Sequence, residues 1–410
     1  IGTIMSSKML LKGDAIVTAF GVAGTEASDS KRLISLLEKL DLSADSNGQC
    51  GKIGLGTSNI LSMACELLLN RSMESTFLLI EEPEAHVHAQ RQLRLIQSLQ
   101  TEAATSGVNQ QIIITTHSPL MASVISLEHI SIVKSAKVFS LRYGKTRLSK
   151  DDYVFLERYL DATKANLFFA KAIMMVEGPS EEFLIPTISK IIGKDFTEYG
   201  VSVVNVRGTG LRRFAKILQR ADAGETLDIR VSCMTDRDVM PNCAPAICID
   251  QRYSDIALWP EKGKRNWKAE CDFISQNERD LYLKRILERA NGQQVKTFVA
   301  NHWTFEYDLA YAGLADELIE AIVAVRYESQ NREQRIKDIQ KKCEEFPDNE
   351  SKSAYLYSYF SLKGTSKAEV AQHLSFILET KYASDPKALC ERLPPYIRDA
   401  INYVTEQEDA

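Results

Sequence analysis

Short, wholly apolar runs alternate with amphipathic stretches along this chain, and the alternation occurs in two blocks. In the first, "TFLLI" at 76–80 is an apolar run, "AQRQLRLIQSLQTEAA" places Leu93, Ile96 and Leu99 on one helical face, and "QIIITTHSP" at 111–119 has three isoleucines near its start and ends in His117 and a Pro stop. Strand, helix, strand is the expected reading. Two helices are expected before it, at 31–41 ("KRLISLLEKLD") and at 59–70 ("NILSMACELLLN"), the latter entered from the glycine-rich "GQCGKIGLGTSN". The second block starts near Lys171. A strand runs to Glu177, a helix through "FLIPTISKII", a strand "VSVVNV" at 201–206, a helix to Arg220 and a strand "IRVSCMTD". Strands apolar on both faces and separated by helices predict parallel sheets in an α/β protein. Between the blocks, 121–165 reads as short strands and a connecting helix. Beyond them come a helix at 277–290, a strand at 295–300, and helices from 313 onward with a highly charged one at 325–345.

The strand ends carry the chemistry. "AIMMVEGPSEE" ends in Glu177 with Glu181 four residues on, and "IRVSCMTDRDV" ends in Asp236 and Asp238, which an extended backbone would point the same way. Four carboxylates with no lysine among them repel one another unless a cation lies between them. A hard cation such as Mg²⁺ or Mn²⁺ prefers such oxygen donors, and the chemistry it suggests is work on phosphate esters. Ligands of parallel α/β sheets bind beyond the carboxyl ends of the strands, where these residues stand.

Composition narrows this further. The chain has 410 residues, 44% hydrophobic and 26% charged, which allows two or three globular domains. No apolar run is long enough to span a bilayer and no secretory leader opens the chain, so a cytoplasmic protein without a membrane partner is expected. Eight cysteines lie scattered with no Cys-x-x-Cys spacing, which reads as reduced thiols rather than a zinc site. A net charge of −5 argues against indiscriminate coating of nucleic acid. Two basic patches nevertheless suit a nucleic-acid track: "VRGTGLRRFAKILQR" at 206–220, and "EKGKRNWK" at 261–268 with Trp267 among four cations. The alternative for each is a solvated helix face or loop.

"FLLIEEPEAHVHAQ" resembles the magnesium and catalytic-acid segment of ATP-binding-cassette (ABC) ATPases. That resemblance implies that Glu81 helps hold Mg²⁺ and that Glu82 orients the water attacking the γ-phosphate. His117 matches the histidine that senses that phosphate. "GKIGLGTSNIL" at 51–61 stands where the signature segment belongs, with Gly54 and Gly56 at a helix start suited to a phosphate. No G-x-x-x-x-G-K-[ST] loop occurs, since "GQCGKIG" lacks Ser or Thr after Lys52. The chain also starts at Ile1, so it reads as the later part of a longer protein, or its ATPase has degenerated.

Glu at one strand end and Asp-x-Asp at a later one, in a small parallel sheet, is similar to a Toprim domain. "EEPEAHVH" followed by "VEGPSE" resembles the overcoming-lysogenization-defect (OLD) family of ATP-dependent nucleases, relatives of the Gabija nuclease subunit, over residues 50–310. The resemblance implies a two-metal DNA endonuclease, nicking or cleaving, regulated by an ABC-type ATPase and serving phage defence or DNA processing. Glu177, Asp236 and Asp238 would hold one Mg²⁺ or Mn²⁺, and Glu181 with Glu306 of "TFEYDL" the second. Asp308 is the weaker candidate, since it could cap the helix that follows. Lys367 of "SKAEVAQHL" would neutralise charge developing on the phosphate, with Lys363 as runner-up and a solvated lysine as the alternative.

The implied organisation is a partial ABC-type ATPase domain at 1–140, a linker at 141–170, a Toprim domain with a helical insertion at 171–312 and a helical region at 313–410. Expected partners are DNA and a second copy of the chain, as homodimer or higher oligomer, with ATP and Mg²⁺ at the ATPase site. A Gabija-like member would add a helicase partner. The competing reading is a DNA-tethering or nucleotide-sensing ATPase with an inactive Toprim scaffold. It predicts lost ligands, yet Glu177, Asp236, Asp238 and Glu306 are all present.

Overall fold

The computed structural model describes residues 17–22, 40–46, 49–50, 54–70, 75–105, 109–208 and 210–406. They divide into two compact units, one of residues 1–126 with 160–165, the other of 127–159 with 166–410.

In the first unit, strands β1 (Val17–Val22), β2 (Leu40–Ser46) and β3 (Gln49–Cys50) form an antiparallel sheet with Phe20 opposite Leu42. The helix expected at 31–41 therefore fails at its end, where Leu40 and Asp41 are paired in β2; the rest of it lies outside the described residues. Helix α1 (Leu55–Asn70) precedes β4 (Ser75–Glu81), α2 (Ala89–Thr105) and β5 (Asn109–Thr115). β4 and β5 pair in parallel, Leu79 beside Ile113, with α2 as the crossover. Ile60, Ala64 and Leu67 of α1 pack with Ile80, Leu95 and Leu99, which fixes α1 against the strand carrying Glu81.

The second unit opens on the antiparallel hairpin β6 (Ser131–Lys134) and β7 (Lys137–Ser140), followed by α4 (Lys150–Tyr159); a single turn, α3 (Pro119–Ala122), precedes it in the first unit. The segment read as a linker is thus partly built into a fold: Leu141, Leu148, Tyr153 and Leu156 are buried.

Its main sheet has four parallel strands in the order β11-β10-β8-β9. β8 (Ala172–Val176) is buried at every residue, as its apolar run demands of a central strand. Helices α5 (Pro179–Ile191) and α6 (Phe196–Tyr199) lead to β9 (Val201–Asn205), and α7 (Leu211–Ile217) to β10 (Arg230–Thr235). An insertion containing α8 (Ala244–Cys248) and α9 (Gln276–Glu288) precedes β11 (Val295–Val299). All four strands run the same way, so residues 177, 206, 236 and 300 leave the sheet at one edge.

A helical region follows: α10 (Phe305–Leu309), a π turn at Ala310–Leu314, α11 (Ala315–Arg326), α12 (Arg332–Glu344), α13 (Asn349–Ser361), α14 (Lys367–Tyr382), α15 (Pro386–Arg392) and α16 (Pro395–Thr405). The charged helix expected at 325–345 is α12, separated from α11 by residues 327–331. α14 packs on α5 and α11, and α16 lies across β8, β10 and β11. Leu184, Ile185, Leu318, Leu374, Ile397 and Ile401 join in one core, so the helices are continuous with the sheet and bring the start of α14 to its active edge.

Candidate metal centre

Glu177, Glu181, Asp236 and Glu306 share one electrostatic environment at this edge with Lys367. Glu177 follows β8, and its Oε1 accepts a 2.6 Å hydrogen bond from Thr235 Oγ1 at the end of β10. Glu181 sits in the first turn of α5, 8% exposed, beyond Pro179, which suits a helix start. A Cβ on Gly178 would lie 3.0 Å from Glu181 Oε2, so glycine in "VEGPSE" leaves room for that carboxylate. Asp236 accepts from the Phe305 amide at 2.9 Å, which ties the end of β10 to the start of α10. Glu306, 6% exposed, accepts from Ser180 Oγ at 2.9 Å and from Lys367 Nζ at 2.8 Å.

Burial and mutual repulsion disfavour charge on these acids. Burial first, then the Glu306 carboxylate, pushes Glu181 up to about 7. Asp236 is held well above the usual carboxylate range by burial, then by Glu306 and Glu181. Glu177 is raised mainly by burial, with Asp238 adding to it. Lys367 is the opposing charge: burial alone would lower its pKa, but Glu306 outweighs that and raises it. Its ammonium also lies 5.2 Å from the Tyr357 ring centre.

Asp238 departs from the extended geometry expected of an Asp-x-Asp strand end. β10 stops at Thr235, and Asp238 is exposed with φ at 56°, the left-handed region. Its charge acts on Glu177 and Tyr282, whereas Asp236 feels the charges of Glu306, Glu181, Lys367 and Glu177. Asp236 is therefore coupled electrostatically to members of both ligand groups the resemblance implies. Asp308 turns away: its carboxylate accepts from the His302 and Trp303 amides at 3.2 Å and holds the loop before α10. Lys363 lies 3.4 Å from the Tyr359 ring centre.

Among the described residues, no three His, Cys, Asp or Glu side chains converge closely enough to hold an ion as they stand. The reason is visible in their partners. Glu306 is turned to Lys367 and Ser180, Glu177 to Thr235, and Asp236 to the Phe305 amide. The donor set still fits a hard divalent cation, because it is oxygen-only and mutually repulsive, with Glu181 and Glu306 buried. Ser180 and Thr235 were missed in the sequence; a hydroxyl beside a motif acid was the available signal.

The basic patches are largely consumed by the fold. In the insertion, Arg265 is 5% exposed, ion-paired with Asp272 and packed 4.0 Å from the Trp267 ring centre. Lys262 donates to the Asp272 carbonyl and Lys264 pairs with Glu261. In the other patch, Arg213 and Lys216 pair with Asp152, and Arg220 with Glu225. Arg207 and Arg212 remain exposed.

In the first unit, Glu81, Glu82, Asn59, Ser62 and Thr115 line a cavity of about 710 Å³. Glu82 has φ at 43°, and its Oε1 lies 3.5 Å from His117 Nε2, both side chains exposed. Glu84, not singled out in the sequence, accepts from Thr116 Oγ1 and the His117 amide, each at 2.7 Å, and so locks the ends of β4 and β5 together. Gly56 has a packing role: a Cβ there would meet the His86 carbonyl oxygen at 2.1 Å. Gly54 has open space around it, and Lys52 lies outside the described residues.

Residues 168–238 match the family "Overcoming lysogenization defect protein-like, TOPRIM domain", and residues 14–122 match "AAA ATPase domain". The chain pairs an AAA-type ATPase domain with an OLD-like Toprim domain. It is related to the OLD family of ATPase–Toprim nucleases. Endonuclease GajA of Bacillus cereus (strain HuB5-5) is 25% identical over 219 residues, covering 46% of this chain and 31% of that protein. Uncharacterized protein YbjD of Escherichia coli (strain K12) is 26% identical over 148 residues, 35% of this chain and 25% of that protein. The chain thus spans about a third and a quarter of these relatives. Among solved structures, the C-terminal region of the Burkholderia pseudomallei OLD protein aligns with a TM-score of 0.35 at 23% identity, covering 58% of this chain and 98% of that one. The corresponding region of the Xanthomonas campestris pv. campestris OLD protein gives 0.34 at 22% identity, covering 58% and 94%. Among the described residues no helix is long and apolar enough to cross a membrane.

Proposed function

We propose that the second unit is a metal-dependent DNA endonuclease and that Glu177, Glu181, Asp236, Asp238 and Glu306 are its metal ligands. The observation that carries this reading is the set of repelling acids at one edge of a parallel sheet, offset by the ammonium of Lys367. That GajA is an endonuclease supports DNA as the substrate.

Divalent Mg²⁺ or Mn²⁺, two ions in the full form of the reading, would activate a water and stabilise the leaving oxygen of a phosphodiester. The chain's own residues do the rest. Thr235 and Ser180 orient Glu177 and Glu306 through their hydroxyls, and the Phe305 amide orients Asp236. Lys367, held at Glu306, is placed to offset negative charge on the phosphate in the transition state. The ATPase domain, with Glu81, Glu82 and His117 grouped at the β4 and β5 ends, would use Mg-ATP to regulate cleavage. Homodimerisation or higher assembly, a helicase partner and a role in phage defence belong to the same proposal.

The test is Mn²⁺ binding to the full chain by electron paramagnetic resonance, set beside cleavage of supercoiled plasmid. Wild type should bind Mn²⁺ and cut DNA. Glu306→Gln should lose both. Equal binding and cutting by Glu306→Gln would overturn the assignment.

A further inference from the structure

Asp238 raises a physical question that the ligand set leaves open. It is a non-glycine residue in the left-handed region, exposed, at the end of a strand. Aspartate reaches this region more readily than most residues, and a fixed neighbour can hold it there. The neighbour placed to do so is Arg237, whose side chain is 9% exposed although it lies between two residues of the proposed site.

Arg237 is held from four directions. Its amide donates to the Trp303 carbonyl at 2.9 Å, and its carbonyl accepts from Tyr282 Oη of α9 at 3.1 Å. Its Nη1 donates to the Asn301 carbonyl at 3.1 Å, and its Nη2 lies 3.1 Å from Glu270 Oε1. Glu270 is itself ion-paired with Arg279 of α9. The receiving loop is fixed in turn, because Asp308 accepts from the His302 and Trp303 amides. One residue thus ties the Asp236–Asp238 turn to the insertion and to the loop that leads into Glu306. The guanidinium is taken up by Asn301 and Glu270, and Arg237 lines a polar cavity of about 450 Å³ with Glu270, Arg279, His302 and Glu350.

We infer that Arg237 is a positioning residue that sets the spacing and orientation of Asp236 and Asp238 relative to Glu306. It acts from behind the turn, through Glu270 and Asn301. The inference rests on the metal-ligand reading above. Outer partners of this kind alter metal affinity about 10–100-fold when removed, and lysine cannot replace a guanidinium that reaches a carbonyl and a carboxylate at once.

The experiment is an electron paramagnetic resonance titration of Mn²⁺ on the full chain for wild type, Arg237→Met, Glu270→Gln and the double variant, with thermal melting in EDTA alongside. Each single variant should weaken Mn²⁺ binding about 10–100-fold. The double variant should bind no more weakly than Arg237→Met, since both changes cut the same tether. A purely structural role would lower melting in EDTA while leaving the affinity of the folded protein within twofold of wild type, and that result overturns the inference. If Arg237→Met does not fold, wild-type affinity in Glu270→Gln overturns it equally. Failure of wild type to bind Mn²⁺ removes the metal reading itself, and this inference with it.

Discussion

Replacing Glu181 with glutamine isolates the cost of assembling the acidic edge. The amide keeps the size of the side chain and removes its charge. In the folded protein Glu181 is raised from 4.5 to about 7 by burial and by Glu306. A shift of that size corresponds to about 3 kcal/mol of destabilisation when the group is ionised. At 8% exposure, solvent screening does little to reduce it. The direction follows from the raised value. Below pH 4.5 the carboxyl is protonated in both folded and unfolded chains, and the cost is absent. Between 4.5 and 7 the unfolded chain ionises first and the folded state loses ground; above 7 the cost is complete. Glu181→Gln should therefore stabilise the protein in EDTA at pH 8.5, raising its melting temperature by roughly 5 °C. The gain should shrink steadily toward pH 5. Excess Mn²⁺ should reverse the order, stabilising wild type more than the variant. Melts followed by circular dichroism at both pH values, with EDTA or Mn²⁺, make the comparison. A variant less stable than wild type in EDTA at pH 8.5, or a gain independent of pH, would refute the argument.

Other outcomes follow from single contacts. Lys367→Met leaves the buried Glu306 carboxylate with the Ser180 hydroxyl and no ammonium; metal-free protein should lose about 1–3 kcal/mol in urea titrations, and plasmid cleavage should fall at least tenfold. Asp152→Asn removes the charge that pairs with Arg213 and Lys216 and leaves one acceptor oxygen where Ser149 and Arg213 use two, at a cost of about 2 kcal/mol by denaturant titration at pH 7. Although burial opposes it, bonds from Ser149 and Arg213 hold Asp152 below its ordinary 3.8. That stabilisation is present above 3.8 and is lost as pH falls through the depressed value, so the variant and wild type should converge in strong acid. Gly56→Ala drives a methyl into the His86 carbonyl and should destabilise the first unit by about 1–3 kcal/mol in thermal melts.

The parallel sheet was legible because β8 is apolar at every position and β10 is buried along its middle, and the acids Glu177 and Asp236 stand where those strands stop. The lysine and Glu306 were reachable only through resemblance. Their meeting depends on α14 packing on α5, a contact between residues more than 150 positions apart that no local pattern encodes. Charge runs misled for a related reason. Arg265 reads as a nucleic-acid contact beside Trp267, but Asp272, seven residues on, and two tryptophan rings take it into the insertion's interior. Asp238 misled through backbone: spacing by two implies a shared face only while the chain stays extended, and its φ of 56° ends that. The helix read at 31–41 shows periodicity failing at a boundary, since Leu40 and Asp41 pair across to Val22 and Gly21 in β1.

The central claim is that the acidic edge of the Toprim sheet cuts DNA, and cleavage of supercoiled plasmid tests it most directly. With Mg²⁺ or Mn²⁺, wild type should convert supercoiled to nicked or linear plasmid, EDTA should stop it, and Glu177→Ala should be inactive while remaining folded. Cleavage by Glu177→Ala at the wild-type rate, or undiminished cleavage in EDTA, would contradict the account.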